Sequence, residues 1–434
     1  MFKQNDKKMI KNKQLAVSWL IGIMLFSTHW ATAQQNNSLS IDTCLAMAKR
    51  NFPLIKQYGL IEKSKEYSID NANKGYLPQF NIVGQATYQS AVTQIPISLP
   101  NMVIPTISKD QYRLYGEVSQ PITDLFVVKD NKNLIESNMQ VETQKVEVEI
   151  YKLRERINQL FFGILLIDEQ LKQTDLLKKD IQSGIDKTNV AIQNGTATKS
   201  SVNILKAELL KANQRTIELK ATRKGYAEML SHFIGTAIDE NTTLLKPAPQ
   251  LVSNTINRPE LKFYDLQKKT FDLQNKLITA KNLPRFSLFF QGGLGRPALN
   301  MLSNDVQGYY IGGLRLNWNL TGFYTYNKEK KILAVNQDFI DIQRETFLFN
   351  TNLNLRQQNS EITKVQELIE TDSDIISLRE SVKNTTKIQL ENGTATTNDY
   401  LISVNAEDQA RQNLILHEIQ LLMAQYNYQT MSGN

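Results

Sequence analysis

The side chains best suited to catalysis or metal binding are few and scattered. Three His and one Cys occur among 434 residues, and a single Cys excludes both a disulfide framework and an all-Cys metal site. His29 lies in a leader described below, whereas His232 and His417 lie near the ends of two predicted helices. His417 falls in an apolar seam, which favours a packed structural side chain over a ligand. The sequence therefore predicts no catalytic residue, no cofactor and no metal site, and a soluble enzyme is the least expected class.

Two further motifs suggest chemistry but have simpler interpretations. The segment from Gly293 to Ala298 has the G-x-G-x-x-A spacing that lets a backbone approach a pyrophosphate. Pro297 and the absence of a helical pattern after it favour a hairpin loop. The tripeptides Asn194-Gly195-Thr196 and Asn392-Gly393-Thr394 are formal N-glycosylation acceptors, but their equivalent places in an internal repeat favour turns.

The first 33 residues have the layout of a secretory signal peptide. Five Lys precede an apolar run over residues 15–26, and Ala31-Thr32-Ala33 resembles a cleavage site, so the mature chain is expected to begin at Gln34. An uncleaved anchor is the alternative, but 12 apolar residues are too few to span a bilayer of roughly 30 Å. The leader carries +4 of the formal charge of +7, so the mature chain, at about +3, gives no indication of nucleic-acid binding.

The rest of the chain offers no second membrane helix. The longest later apolar run, residues 160–167, has only eight residues. The residues before Cys44 do not resemble a lipoprotein processing site, so we expect no lipid anchor there. An exported chain of this kind is expected to be periplasmic, secreted, or held in an outer membrane by strands.

The sequence contains two copies of one unit. The pentapeptide Asn-Gly-Thr-Ala-Thr occurs at 194–198 and, 198 residues later, at 392–396. Both copies also separate an early Pro from a Leu-Pro pair by 25 residues, and a Thr from the pentapeptide by 71. Constant spacings with one elastic segment indicate a repeated structural unit with a variable loop. We therefore predict repeat 1 over residues 34–240 and repeat 2 over 241–434.

Each unit is predicted to contain a helix followed by a hairpin of alternating strands. The strands are expected at about 80–90 and 111–121, and again at about 286–294 and 309–320. Alternation over about ten residues with aromatic ends fits a transmembrane strand, although a half-buried strand of a soluble sheet alternates in the same way. Four strands cannot close a barrel, and an open edge in lipid leaves backbone groups unpaired. If these strands cross a membrane, several chains must share one barrel.

Very long helices are predicted after each hairpin. Apolar residues step by four and three along the first outgoing helix, from Val146 to Leu171, which is a coiled-coil seam. The equivalent helix of the second unit is patchier, because Asp372 interrupts its seam. A helix of 71 residues would be roughly 105 Å long. The pentapeptide, with its Gly left-handed and a Thr as N-cap, is expected to close each helical hairpin at its tip.

The order of these motifs resembles the TolC-like outer-membrane efflux protein family over almost all of the mature chain. The resemblance rests on the segment from Cys44 to Pro53, with Cys44 where Ala is usual, on the tips, and on three short motifs. These are Leu77-Pro78-Gln79-Phe80, Gln120-Pro121-Ile122 and Trp318-Asn319-Leu320-Thr321-Gly322. It implies a mainly α fold with β-strands: a trimeric duct in which four strands per chain form a shared 12-stranded barrel above a helical tunnel.

The resemblance also implies a function and a location. It implies passive export of small molecules through the outer membrane of a Gram-negative bacterium, with the helices projecting into the periplasm. The implied partners are two further copies of the chain, outer-membrane lipid, a periplasmic adaptor and an inner-membrane pump, with no nucleic acid. The exit duct of a type I protein-secretion system and a structural exported coiled-coil envelope protein are the alternatives.

Site residues follow from the same resemblance. The implied adaptor contacts are Asn194, Gly195, Thr196, Asn392, Gly393 and Thr394. Asp399 occupies the first of two positions at which family members narrow the aperture with acids, whereas Ile402 occupies the second, so a doubled acidic ring is not expected. A solvated or capping acid is the alternative for Asp399. Because a water-filled bore needs polar inward groups, the candidate barrel lining is Arg113, Glu117, Arg315 and Asn317.

Overall fold

A computed structural model describes residues 38–94, 96, 106–250 and 255–434. The predicted signal peptide, residues 1–33, lies outside these ranges. The first half of the chain contains β1 Ser38–Leu39, α1 Ile41–Asn51, α2 Lys56–Asn73, β2 Gln79–Tyr88, β3 Asp110–Pro121, α3 Asp124–Tyr151, α4 Leu153–Gln193 and α5 Lys199–Ile234. The second half contains β4 Thr243–Leu244, α6 Pro259–Lys281, β5 Arg285–Arg296, β6 Gln307–Asn317, α7 Phe323–Glu391 and α8 Thr397–Ser432.

Two strand ends differ from the sequence-based expectation. The strand β5 extends to Arg296, two residues beyond the expected end at about 294, because Gly295 and Arg296 pair with Arg113 and Tyr112 of β3 and do not form part of the expected hairpin loop. At the other end, β6 stops at Asn317, short of the expected 320. There the Asn319 side chain accepts a hydrogen bond from the Thr321 backbone at 3.1 Å and starts a short 3₁₀ turn.

The four long strands form one antiparallel sheet in the order β2-β3-β5-β6. Because β3 pairs with β5, the hairpins of the two units are joined into a single sheet. Within the described residues, β2 and β6 each have a strand partner on one side only. The sheet therefore has two open edges.

The two faces of this sheet differ in chemistry. One face is apolar and exposed: Ile82 is 85% exposed, and Phe80, Leu114, Leu288 and Leu314 share that face. The register places Gln, Asn, Thr, Arg and Glu side chains on the other face. We call these the apolar face and the polar face. An apolar face of this size is stable in water only if something covers it.

The long helices form a layer in which contacts follow the order α5, α4, α8, α7. The second unit's outgoing helix, α7, is one continuous helix of 69 residues. The first unit's equivalent is divided into α3 and α4 at Lys152, which keeps helical dihedrals (φ −61°, ψ −21°) and only interrupts the hydrogen-bond pattern. None of the helices within the described ranges is long and apolar enough to cross a membrane.

The apolar core near the helical tips is packed around one aromatic ring. Tyr400 of α8 is 2% exposed, and its hydroxyl donates to the Asp180 carbonyl of α4 at 3.1 Å. The ring lies over Gly184, where a Cβ atom would come within 2.7 Å of Tyr400 Cε1. Gly184 is therefore needed for the close approach of α8 to α4.

This contact predicts that Gly184→Ala destabilises the protein although Ala favours helices. Overpacking against a fixed ring should cost about 1–3 kcal/mol, measured as a lower midpoint of chemical or thermal unfolding. The matched control is Gly225→Ala in α5, where a Cβ meets nothing within 4 Å and Ala should stabilise by about 0.5–1 kcal/mol. Equal stability of the two variants would contradict the packing assigned to Tyr400.

Candidate functional site: helical tips and the polar face of the sheet

The two helical hairpins end in turns of the same construction. Gly195 and Gly393 have φ values of 75° and 70°, in the left-handed region that favours glycine. The threonine after each glycine donates from its backbone N–H to a carbonyl five residues back, at 2.9 Å in both turns. The N-caps are Thr198 and Thr396, which accept from the backbone N–H three residues ahead. The pentapeptide therefore encodes both a stop and a restart signal.

Asp399 takes part in the second of these caps. Its carboxylate accepts from the Thr396 backbone N–H at 3.0 Å and from the Thr396 hydroxyl at 2.7 Å, which completes a capping box. These hydrogen bonds from Thr396 hold the pKa of Asp399 below its usual range, so the exposed carboxylate is charged at neutral pH. Asp399 is thus a capping acid that also presents its charge to solvent, while Ile402, 60% exposed, has no charge to add.

The two tips lie side by side and share one groove. Its volume is about 520 Å³, and its lining comes from both turns, including Asn194, Thr196, Gly393 and Thr394. Just behind the tips, Lys187 and Glu391 form an ion pair that joins the two hairpins. All six predicted contact residues are exposed: Asn194, Gly195, Thr196, Asn392, Gly393 and Thr394. The structure therefore brings the candidate tip residues together at one end of the molecule.

A network of charged side chains lies between the hairpins, farther from the tips. Lys383 of α7, 14% exposed, donates to Asp180 of α4 at 2.9 Å and to Glu407 of α8 at 3.4 Å. Glu407 also pairs with Arg411, which reaches Glu380 at 3.0 Å. Burial opposes the charged form of Lys383, but the hydrogen bonds and negative charges of Asp180 and Glu407 raise its pKa. Charges thus link three helices across an otherwise apolar seam.

A second buried carboxylate extends these polar contacts to α5. Asp408 accepts from Gln173 of α4 at 3.0 Å and from Arg215 of α5 at 3.4 Å. Burial raises the pKa of Asp408 above its usual value. These network residues were not predicted from the sequence. One signal was available, since the heptad of α8 continued backwards from Ala410 reaches Glu407.

His417 has a specific partner within the apolar seam. Its Nδ1 lies 2.5 Å from the Asp372 carboxylate of α7, and Asp372 is 6% exposed. The residue that interrupts the seam of α7 therefore meets the one polar residue noted in the seam of α8.

Cys44 is fully buried in the core, and burial raises its pKa to about 11, so its thiol is unreactive.

All four candidate lining residues lie on the polar face of the sheet. Arg315 forms a two-pronged ion pair with Glu117 at 2.8 and 2.9 Å, and Gln291 also donates to Glu117. The register places Arg113 on this face four residue pairs farther from the helices than Glu117, and Asn317 at the helical end of the face. The strands thus bring together residues from both units on one face of the sheet.

Solved structures of other proteins resemble this fold. The outer membrane protein VceC from Vibrio cholerae has 12% sequence identity and a TM-score of 0.64, with 91% of this chain and 96% of VceC covered. The MtrE outer membrane channel of Neisseria gonorrhoeae has 11% sequence identity and a TM-score of 0.63, with 90% of this chain and 88% of MtrE covered. The CmeC outer membrane channel of Campylobacter jejuni has 12% identity and a TM-score of 0.60, with 91% of this chain and 85% of CmeC covered. The chain has the TolC-like fold.

At this level of identity the likeness establishes the fold alone. The chain matches no protein-family model, and no curated protein is detectably similar to it in sequence. The predicted fold class, mainly helical with a few strands and TolC-like, is confirmed. Within the TolC-like fold, the tips lie at one end of the long helices and the sheet lies at the other.

Proposed function

We propose that this chain is one third of a homotrimeric exit duct in the outer membrane, which passively passes small molecules delivered by a periplasmic adaptor and an inner-membrane pump. The observation that carries the proposal is the four-stranded sheet, with its exposed apolar face and two open edges. In water an exposed apolar face and unpaired strand edges favour aggregation. In an outer membrane, lipid would cover the apolar face and neighbouring copies would pair the edges. A purely structural envelope coiled coil would have no use for such a sheet.

The dimensions of the sheet fit an outer membrane. The 10 residues of β2 rise about 33 Å along the strand. A tilt of about 40° reduces this height to roughly 25 Å, the height of the apolar band in outer-membrane barrels. Aromatic side chains lie near both ends of the apolar face, with Tyr88 and Tyr112 at the end far from the helices and Trp318 just after β6 at the other, all at least 50% exposed. This distribution matches the aromatic girdles of such barrels.

The helical layer also has two uncovered apolar edges. On α7, Ile375, Leu378 and Val382 are 41–69% exposed and lie 16, 13 and 9 residues before the helix ends at the tip. On α5, at the opposite edge of the layer, Leu210 and Ile217 are 65% and 68% exposed and lie 11 and 18 residues after the helix starts. The two stripes are at matching heights, so α7 of one copy suits α5 of the next. Strand edges and helix edges thus support the same ring.

Membrane insertion and assembly are tested together with a matched pair of charge additions. The unmodified protein is expected in the outer-membrane fraction and, on an unheated gel, at three times the size of the heated chain. Ile82→Lys places a charge on the apolar face, where it should cost up to about 2–4 kcal/mol and reduce the inserted trimer. Asn81→Lys adds the same charge on the polar face and should leave the trimer intact.

A soluble monomer, or equal tolerance of both lysines, would mean that lipid does not cover the apolar face.

The exposed tips are proposed as the adaptor contact. A Cβ at Gly195 or Gly393 would meet nothing within 4 Å, so a large side chain there projects outwards. We therefore expect Gly195→Trp and Gly393→Trp to abolish export in a resistance or secretion assay while the trimer still assembles. Gly195→Ala and Gly393→Ala impose the same strain at positive φ without the bulk and should retain export. Loss of export in the alanine variants as well would assign these glycines a conformational role only.

Asp399 is proposed to narrow the aperture with one carboxylate per copy. A charge ring at a constriction favours cations, because the field is concentrated where water is scarce. We expect Asp399→Asn to lower the potassium-to-chloride permeability ratio in planar bilayers. Thr396→Ala breaks the same capping box but keeps the carboxylate, so it should retain the ratio. A shared change in both variants would reduce Asp399 to a capping residue.

A further inference from the structure

The polar face of the sheet is divided into two halves of different charge. In the half next to the helices, Arg315 is neutralised by Glu117 at 2.8 Å, and Arg285 lies 3.8 Å from Asp124. In the distal half, farthest from the helices, the charged residue of the polar face within the strands is Arg113. Charge on this face is therefore balanced at one end and unbalanced at the other.

Arg113 lies among neutral donors and acceptors. It is half-buried and lines a recess of about 130 Å³ together with Gln85, Thr87, Gln89 and Gln111. No carboxylate of the described residues forms an ion pair with it. No described carboxylate therefore compensates the positive charge of its guanidinium.

Lys109 adds a second positive charge on the same face. The Gln89 backbone N–H donates to the Lys109 carbonyl at 2.9 Å, which continues the β2–β3 ladder by one pair beyond Asp110. Strand alternation then places Lys109 on the face of Gln111 and Arg113. Lys109 is exposed, and no described carboxylate forms an ion pair with it.

Two acidic residues lie near this end of the sheet, but neither is a strand residue of its polar face. Asp110 belongs to the apolar face by register and faces Arg296 there at 3.7 Å. Asp305 lies in the loop between β5 and β6, next to Ser303, whose hydroxyl donates to it at 3.2 Å. The sequence of the β2–β3 loop, residues 89–108, contains no charged residue. Among the described residues that the strand register places on the distal polar face, two per chain are thus positive and none is negative, while Asp305 lies in the adjoining loop.

We propose that Lys109 and Arg113 form an electropositive collar in the distal half of the bore, which favours the passage of anionic solutes. The collar rests on the proposed function, since only a closed barrel turns the polar face into a bore. Three copies would contribute six positive charges to one water-filled ring. Such a ring concentrates anions within a Debye length, roughly 30 Å at 0.01 M salt and 3 Å at 1 M.

The test is the reversal potential of the purified protein in planar bilayers under a gradient of dilute KCl. Relative to the unmodified protein, Arg113→Gln should lower the chloride-to-potassium permeability ratio by about twofold, Lys109→Gln/Arg113→Gln by more, and Arg113→Glu by most. In salt near 1 M the four ratios should converge. The proposed Asp399 aperture is the same in all of these variants. Its preference for cations therefore does not affect the differences between their permeability ratios.

Arg296→Gln is the matched control. Arg296 pairs with Tyr112 in the register and so lies at the height of the collar, but on the apolar face. Its removal should leave the permeability ratio unchanged. Trimeric channels that conduct with one ratio for all these variants would overturn the collar and leave the proposed duct standing. The same change in Arg296→Gln as in Arg113→Gln would also overturn it. Absence of trimer and current from the unmodified protein would remove both proposals.

Discussion

An antiparallel sheet that is apolar and exposed on one face, and unpaired at both edges, is the constraint on which the rest of this molecule depends. Backbone N–H and C=O groups at an edge need partners, and the need is greatest where water is absent. The pairing of β3 with β5 sets this constraint, because it converts two hairpins into one strip of four strands. A strip of four is too narrow to close on itself, so the outer edges of β2 and β6 have no strand partner among the described residues.

The helical layer is specified by a few polar contacts inside long apolar seams. Seams of uniform Leu and Ile tolerate shifts by a heptad, whereas a buried ion pair is satisfied in one register only. Lys383 between Asp180 and Glu407 is a contact of this kind, and it joins helices from both units. The buried polar contact of His417 with Asp372 joins the two long helices of the second unit. We infer that these contacts fix one alignment of the helices and add little to the free energy of unfolding, since buried charges stabilise little by themselves.

Charge is distributed unevenly along the long axis. The tip presents the Asp399 carboxylate, the helix interfaces contain paired charges, and the distal polar face carries Lys109 and Arg113. In a trimer each of these charges would occur three times around one axis. A solute would then pass an acidic ring and later a basic one, so selection by charge would depend on both ends rather than on one gate.

The sequence by itself determined the local structure and the repeat: the helical tips, the alternating strands and the apolar seams are all visible in it. These features depend on residues a few positions apart, such as Gly393 and Thr396, whose backbone preferences act locally. The resemblance to a known family supplied the fold class. Only the tertiary structure decided that β3 pairs with β5, that Asp372 contacts His417 and that Glu117 neutralises Arg315, while no described carboxylate forms an ion pair with Arg113. Those outcomes join residues 45 to 198 positions apart, and no local pattern encodes which distant side chain will be the partner.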